Sequence, residues 1–322
     1  MNASHPDRSY VVLGAGGGVG SHIVDVLAAT GRAVRAVGRT RPPARPGVES
    51  AAADLNDPAQ VREVVDGADV VFHAAQPPYT RWPQEFPLLT DSIAVATSTV
   101  GARLVMVDNL YMYGPGVSPM TEDLPYAATD PKGRVRAAMA RQLLERHRNG
   151  ELDVVIGRAS DYYGPRGTAS AAGESLFAAA LGGRRATGLG ALDQPRSWSY
   201  LPDVATALVR LADAPRAGGR AWHLPVAEPL TQRQLITAIY QAAGRPPRIA
   251  ALPRPVHRLL ATVNPMLREL YGTRWQFTHP FIVDWSRFAT EIGAFNPTPH
   301  DQAIKDTLAW FSERTVMTRR AD

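Results

Sequence analysis

Short apolar runs alternate with amphipathic stretches through the first half of the chain, the pattern of strand–helix–strand units around a parallel sheet. The runs predict strands at Tyr10–Leu13, Ala33–Val37, Asp69–His73, Arg103–Val107 and Asp153–Ile156, with a short further strand ending near Ala53. Between them, helical spacing predicts Val19–Ala29, Pro58–Val65, Leu88–Val100 and Gly133–His147. The proline-bearing segment Gln76–Pro87 reads as a loop. The expected fold class is α/β, with a doubly wound parallel sheet.

After Arg158 the alternation loosens and Gly, Pro and aromatic residues become more frequent. The expected organisation is a sheet domain over 1–165, to which 196–226 returns. A smaller, discontinuous lobe is formed by 166–195 and 227–313, and a polar tail over 314–322 is expected to fray.

The glycines change the picture from fold to chemistry. Gly14, Gly17 and Gly20 fall between the first strand and the first helix, with Gly18 and Val19 opening that helix. Gly14 permits the tight turn, Gly17 lets backbone approach a pyrophosphate, and Gly20 allows close helix–sheet packing. The free N–H groups at the helix start favour phosphate. This is the signature of a Rossmann dinucleotide-binding unit. NAD-selective units carry an acid near the end of the second strand for the ribose hydroxyl. Here that stretch reads Val37-Gly38-Arg39-Thr40-Arg41, and Arg39 and Arg41 suit a 2′-phosphate instead. The expected cofactor is NADP(H).

Composition mostly excludes. The net charge of +5 is mild and its arginines are scattered, so no nucleic acid or membrane partner is expected and a small molecule is the better reading. The absence of cysteine removes disulfides, thiolate metal sites and cysteine nucleophiles. The histidines lack metal-ligand spacing, so no metal is expected, and no Gly-x-Ser-x-Gly elbow is present. With neither a signal-like nor a membrane-spanning apolar run, a cytoplasmic location is expected.

The chain resembles the extended short-chain dehydrogenase/reductases of the epimerase/dehydratase-like branch over nearly its whole length. The resemblance rests on Gly14–Gly20, Ala53-Asp54-Leu55, His73-Ala74-Ala75, Met112-Tyr113-Gly114, Arg158–Pro165 and the stretch from Arg196 to Ala205. It implies that Asp54 and Leu55 flank the adenine, that Ala74 and Ala75 line the middle of the cofactor, and that Ala159, Ser160 and Asp161 lie near the nicotinamide. It also implies a homodimer, through the apolar faces of the helices at Leu88–Val100 and Gly133–His147.

In this family catalysis uses Ser or Thr after the fifth strand and a Tyr-x-x-x-Lys helix. The aligned positions here hold Asn109, Lys132 and Arg136. The resemblance to sugar-nucleotide dehydratases instead directs Tyr111 into the site, where a phenol can carry a proton. Nearby cations are expected to lower its pKa. Lys132 is the second acid–base candidate, Arg136 can bind ribose hydroxyls, Asn109 can bond a carbonyl oxygen, and Asp108 is either a base or the counter-ion of Arg136.

The substrate side is expected to draw on Tyr79, Trp82, Tyr163, Arg196 and Trp275, with Phe277, Phe281 and Trp285 adding apolar surface. Arg166, Arg184 and Arg185 are further candidates to bind an anionic group. The expected function is an NADP(H)-dependent oxidoreductase acting on a carbonyl or related group of a small metabolite. Two alternatives stay open: a non-redox isomerase, dehydratase or cyclase that keeps the nucleotide as prop or transient oxidant, and an NADP-sensing binding protein without catalysis.

Overall fold

The computed structural model describes residues 8–251, Thr262, Glu269 and 273–321, with side chains as far as Arg314. Its centre is a seven-stranded sheet. The strands are β1 (Ser9–Leu13), β2 (Ala33–Gly38), β3 (Val48–Ala52), β4 (Val70–His73), β5 (Arg103–Asp108), β6 (Asp153–Arg158) and, later in the chain, β7 (Arg220–His223). They run parallel in the order β7-β6-β5-β4-β1-β2-β3. The order reverses between β1 and β4. In such sheets a ligand binds outside the carboxyl ends at that reversal. Leu13 pairs there with Val37 on one side and His73 on the other.

Near-continuous runs such as Val-Val-Leu and Val-Val-Phe are buried on both faces, as a covered parallel sheet requires. One face is covered by α2 (Pro58–Val65), α3 (Trp82–Thr99) and α4 (Pro131–Arg148). The other is covered by α1 (Gly18–Ala29) and α6 (Leu201–Asp213), which pack on each other. A separate core lies between α5 (Glu174–Leu181), α7 (Gln232–Ala242) and α8 (His300–Ala321). Among the described residues no helix is long and apolar enough to cross a membrane.

The start of α3 departs from the sequence reading. The helix begins at Trp82, not Leu88, and a single turn of tighter helix at Tyr79–Arg81 precedes it. Pro83 sits in the first turn, where a missing N–H costs nothing. Pro87 gives up one hydrogen bond inside the helix. Burial of Trp82, Phe86 and Leu89 against the sheet offsets that loss.

Candidate active site

The glycine turn is built to hold a chain of phosphates. Gly14 has φ +86°, and a Cβ there would lie 2.6 Å from the Ala75 nitrogen. A Cβ on Gly20 would lie 2.3 Å from the Gly14 carbonyl oxygen. Around Gly16 there is open space, and Gly17 caps α1 with no side chain on its N–H groups. The cradle therefore fits a dinucleotide pyrophosphate, with Ala74 and Ala75 against its inner edge. Ala74 is tied there by its N–H donating to Leu13 O at 2.9 Å.

Arg39 and Arg41 stand exposed just beyond β2 and make no hydrogen bond or ion pair among the described residues. Two partnerless guanidinium groups beside a phosphate-binding turn are available to a further anion. Leu55 is buried nearby, while the exposed Asp54 carboxylate accepts from Asn56 N at 3.0 Å. Gly18 lies under Leu201 and the Arg166 carbonyl, and Val19 packs against the α1–α6 core. Arg166 itself pairs with Asp25 and His22 of α1, so its charge is already used. Arg184 and Arg185 face solvent.

At the carboxyl end of β5, Asp108 is 3% exposed and held by two buried arginines. Arg136 Nη1 lies 3.2 Å from Oδ1, and Arg158 Nε lies 3.3 Å from Oδ2. Arg136 is sandwiched between Trp82 and Phe86, its guanidinium 4.4 Å from each ring centre. Arg158 continues the network by donating to Tyr113 Oη at 2.7 Å and to the Tyr126 hydroxyl. The Tyr113 hydroxyl then meets His223 Nε2 at 2.8 Å, and His223 Nδ1 meets the Asp284 carbonyl at 2.9 Å. Burial pushes the His223 pKa down to about 4, so the imidazole is neutral and donates to that carbonyl. Of the two readings the sequence offers for Asp108, base or counter-ion of Arg136, the geometry favours the counter-ion. The sequence includes Arg158 in a family-like stretch, Arg158–Pro165, but gives it no place in this network.

The turn Tyr111–Tyr113 is clamped onto α4. A Cβ on Gly133 would lie 2.6 Å from the Tyr111 carbonyl oxygen, so only glycine lets the two backbones approach this closely. Asp130 caps α4 by accepting from Gly133 N at 2.9 Å. The Asn109 side-chain oxygen accepts from Tyr111 N at 3.1 Å, which leaves its amide N–H groups as the available donors.

Lys132 is 1% exposed. Its ammonium donates to the Tyr79 carbonyl and lies 2.9 Å from Glu269 Oε2, 3.8 Å above the Tyr79 ring. Burial lowers its pKa, and Glu269 opposes that shift. Lys132 is thus a caged, paired cation rather than a free base, with Trp82 completing the cage at 5.2 Å.

The Tyr111 ring is half-buried, 6.2 Å from the Trp82 ring, with Tyr79 and Gln276 close to its hydroxyl. Its pKa is raised well beyond the ordinary range, first by burial and then by Tyr79, with Arg136 a smaller opposing influence. The expectation of a lowered pKa is therefore reversed: loss of hydration outweighs the neighbouring cations.

Beyond β6, Ala159 N donates to Asp108 O at 3.1 Å, and Ser160 is pinned by Ser199 Oγ and Ser197 O at 2.9 and 2.8 Å. Asp161 forms a buried ion pair with Arg196. Arg196 also stacks 4.3 Å from the Phe277 ring centre and donates to the Gln276 carbonyl at 3.2 Å. Trp275 packs against Phe281, and Trp82 is in the sheet-domain core as well as against Arg136. The structure does not bring Tyr163 to this site. It is fully buried in the core between α5, α7 and α8, with its hydroxyl 2.8 Å from His300 Nδ1.

The comparisons agree with this fold. Residues 10–226 match the NAD dependent epimerase/dehydratase family. The chain belongs to that family. Among curated relatives, the sterol demethylase protein B of Methylococcus capsulatus is 26% identical, over 95% of this chain and 99% of its own. A dTDP-4-dehydrorhamnose reductase of Mycobacterium tuberculosis is 28% identical, over 77% of this chain and 82% of its own. Solved structures of similar fold include an epimerase of Methanothermobacter thermautotrophicus, with a TM-score of 0.82 at 17% identity over 97% of this chain and 94% of that one. A Bordetella bronchiseptica enzyme in complex with NAD+ gives a TM-score of 0.74 at 21% identity, over 95% and 99%. That family is NAD dependent, which supports a nicotinamide dinucleotide as the cofactor.

Proposed function

We propose that the protein is an NADP(H)-dependent oxidoreductase that reduces a carbonyl group of a small organic molecule, with Tyr111 as the proton donor. The observation that carries this reading is the half-buried Tyr111 phenol, 6.2 Å from the Trp82 ring in the turn that follows β5 and is clamped onto α4. The family's Ser, Tyr and Lys positions hold Asn109, Lys132 and Arg136, so the proton must come from elsewhere. Lys132 is occupied by Glu269 and the Tyr79 carbonyl.

A bound nicotinamide supplies the hydride to the carbonyl carbon. Arg39 and Arg41 would hold the 2′-phosphate, and Arg136 the ribose hydroxyls. Asn109 donates an amide hydrogen to the substrate oxygen, and Tyr111 transfers its phenolic proton to that oxygen as negative charge develops there. The field of Arg136 eases the tyrosinate that remains. Lys132 is a positioning residue that keeps the Tyr79 and Trp82 rings in place.

Mixing the protein with NADPH and a panel of aldehydes and ketones tests the proposal. Loss of nicotinamide absorbance is expected, and Tyr111→Phe should lower kcat about 10²–10⁴-fold while NADPH affinity holds. Product formation with NADPH unchanged would support the isomerase or dehydratase alternative. Full activity in both Tyr111→Phe and Lys132→Met would remove both residues from proton transfer.

A further inference from the structure

The wall of the site beside Tyr111 carries buried polar groups with few partners. Gln276 is 1% exposed and its carboxamide lies toward the Tyr111 hydroxyl, yet among the described residues neither its Nε2 nor its Oε1 makes a hydrogen bond of good geometry. Among the described residues the neighbouring Trp275 indole Nε1 and the Arg196 Nε are unpartnered too. A buried polar group without a partner costs about 1–3 kcal/mol. A fold rarely leaves several together unless a ligand satisfies them.

The chemistry of these groups describes the ligand. They offer N–H donors from Gln276, Trp275 and Arg196, and one acceptor, Gln276 Oε1. Their complement has oxygen acceptors and at least one O–H donor close together. The cation in this wall is already neutralised, because Arg196 is paired with Asp161. A nucleotide diphosphate would bring negative charge to a guanidinium that has none to spare. The surrounding surface is aromatic: Trp275 lies 5.8 Å from Phe281, and Tyr79 lies 4.9 Å from Trp82 between ring centres.

We propose that Gln276 is a specificity-determining residue and that the substrate is an uncharged ring compound with a hydroxyl beside the reacting carbonyl. This rests on the oxidoreductase reading for the reacting group. The carboxamide reads the hydroxyl, donating to and accepting from the O–H and C=O pair, while Tyr111 addresses the carbonyl oxygen.

The test is a calorimetric titration of the full chain, saturated with whichever nicotinamide dinucleotide it binds. The probes are the cyclic α-hydroxyketone adipoin, its deoxy parent cyclohexanone, and UDP-glucose. Adipoin is expected to bind at least about tenfold more tightly than cyclohexanone, because the deoxy ligand leaves the amide unpaired. Gln276→Leu, and the near-isosteric Gln276→Met should the first fail to fold, should bring the two within about twofold while dinucleotide affinity stays unchanged. Equal binding by the wild type, a preference that survives both variants, no binding of either ketone, or tighter binding of UDP-glucose would each overturn the assignment. NADPH oxidation is scored separately: a Gln276-dependent preference without oxidation would overturn the redox reading and leave the binding assignment intact.

Discussion

The Asp108 carboxylate accepts from Arg136 across 3.2 Å in a region almost closed to water. It is also bonded to Arg158, so one buried anion serves two buried cations. Removing the charge in Asp108→Asn leaves both guanidinium groups without compensation. Breaking a buried pair in this way costs about 3–5 kcal/mol. Urea unfolding should show a loss of that order, and a loss below about 1 kcal/mol would show that the network is not under electrostatic load.

That pair also marks the boundary of what the sequence reveals. Most elements of the sheet domain were legible, because strand runs, helical spacing and the glycine turn are local signals. The start of α3 was not, because Pro83 and Pro87 look like loop residues until the burial of Trp82 and Phe86 is known. The cofactor cradle was readable from Gly14, Gly17 and Gly20. The web joining Arg158 to Tyr113, Tyr126 and His223 joins residues far apart in sequence, and periodicity carries no information about it. Gln276 was likewise invisible: an amide in a Trp-Gln-Phe run becomes notable only once its burial is seen.

The glycine turn makes a sharp prediction. In Gly20→Ala the new Cβ would meet Gly14 O, a backbone atom, at 2.3 Å, so the turn must shift. Overpacking of this kind costs about 1–3 kcal/mol. NADPH binding followed by fluorescence should weaken roughly 5- to 150-fold. A change within twofold would show that the cradle does not depend on this contact.

The proposed preference for NADP(H) rests on Arg39 and Arg41. Hydrogen bonds to a charged group contribute about 1.5–3 kcal/mol. Replacing both residues by Ala should lower the ratio of NADPH to NADH affinity by at least about tenfold, with NADH binding little changed. An unchanged ratio would mean that they are solvated surface residues.

Three histidines should make stability sensitive to acid. Burial lowers the pKa of His22 and His223 to about 4 and of His73 to about 3, from an ordinary 6.5. Each is neutral when folded but protonated when unfolded across this interval, so the unfolded chain binds more protons. Their contribution is present in full above pH 6.5 and is lost as pH falls towards 4 and 3. Each adds at most about 1.4 kcal/mol per pH unit. Calorimetric unfolding near pH ~5 should show proton uptake, reduced by almost one proton in His73→Gln. Uptake that is the same in the variant would contradict the assignment for His73.

The exposed face of α3 bears on assembly. Leu88 and Val95 are 73% and 45% exposed and two turns apart on the same side of the helix. We propose that a second copy of the chain covers them, as a two-fold interface would. Light scattering at micromolar concentration should then give the mass of a dimer for the wild type and of a monomer for Leu88→Lys. A monomeric wild type would rule the interface out.

The most direct measurement is a crystal structure with NADP+ bound, read for the side chain nearest the hydride-bearing carbon of the nicotinamide. The account predicts the Tyr111 hydroxyl there, with Lys132 still paired to Glu269 and the 2′-phosphate between Arg39 and Arg41. A nicotinamide whose hydride-bearing carbon lies away from the Tyr111 hydroxyl would contradict the proposed proton transfer.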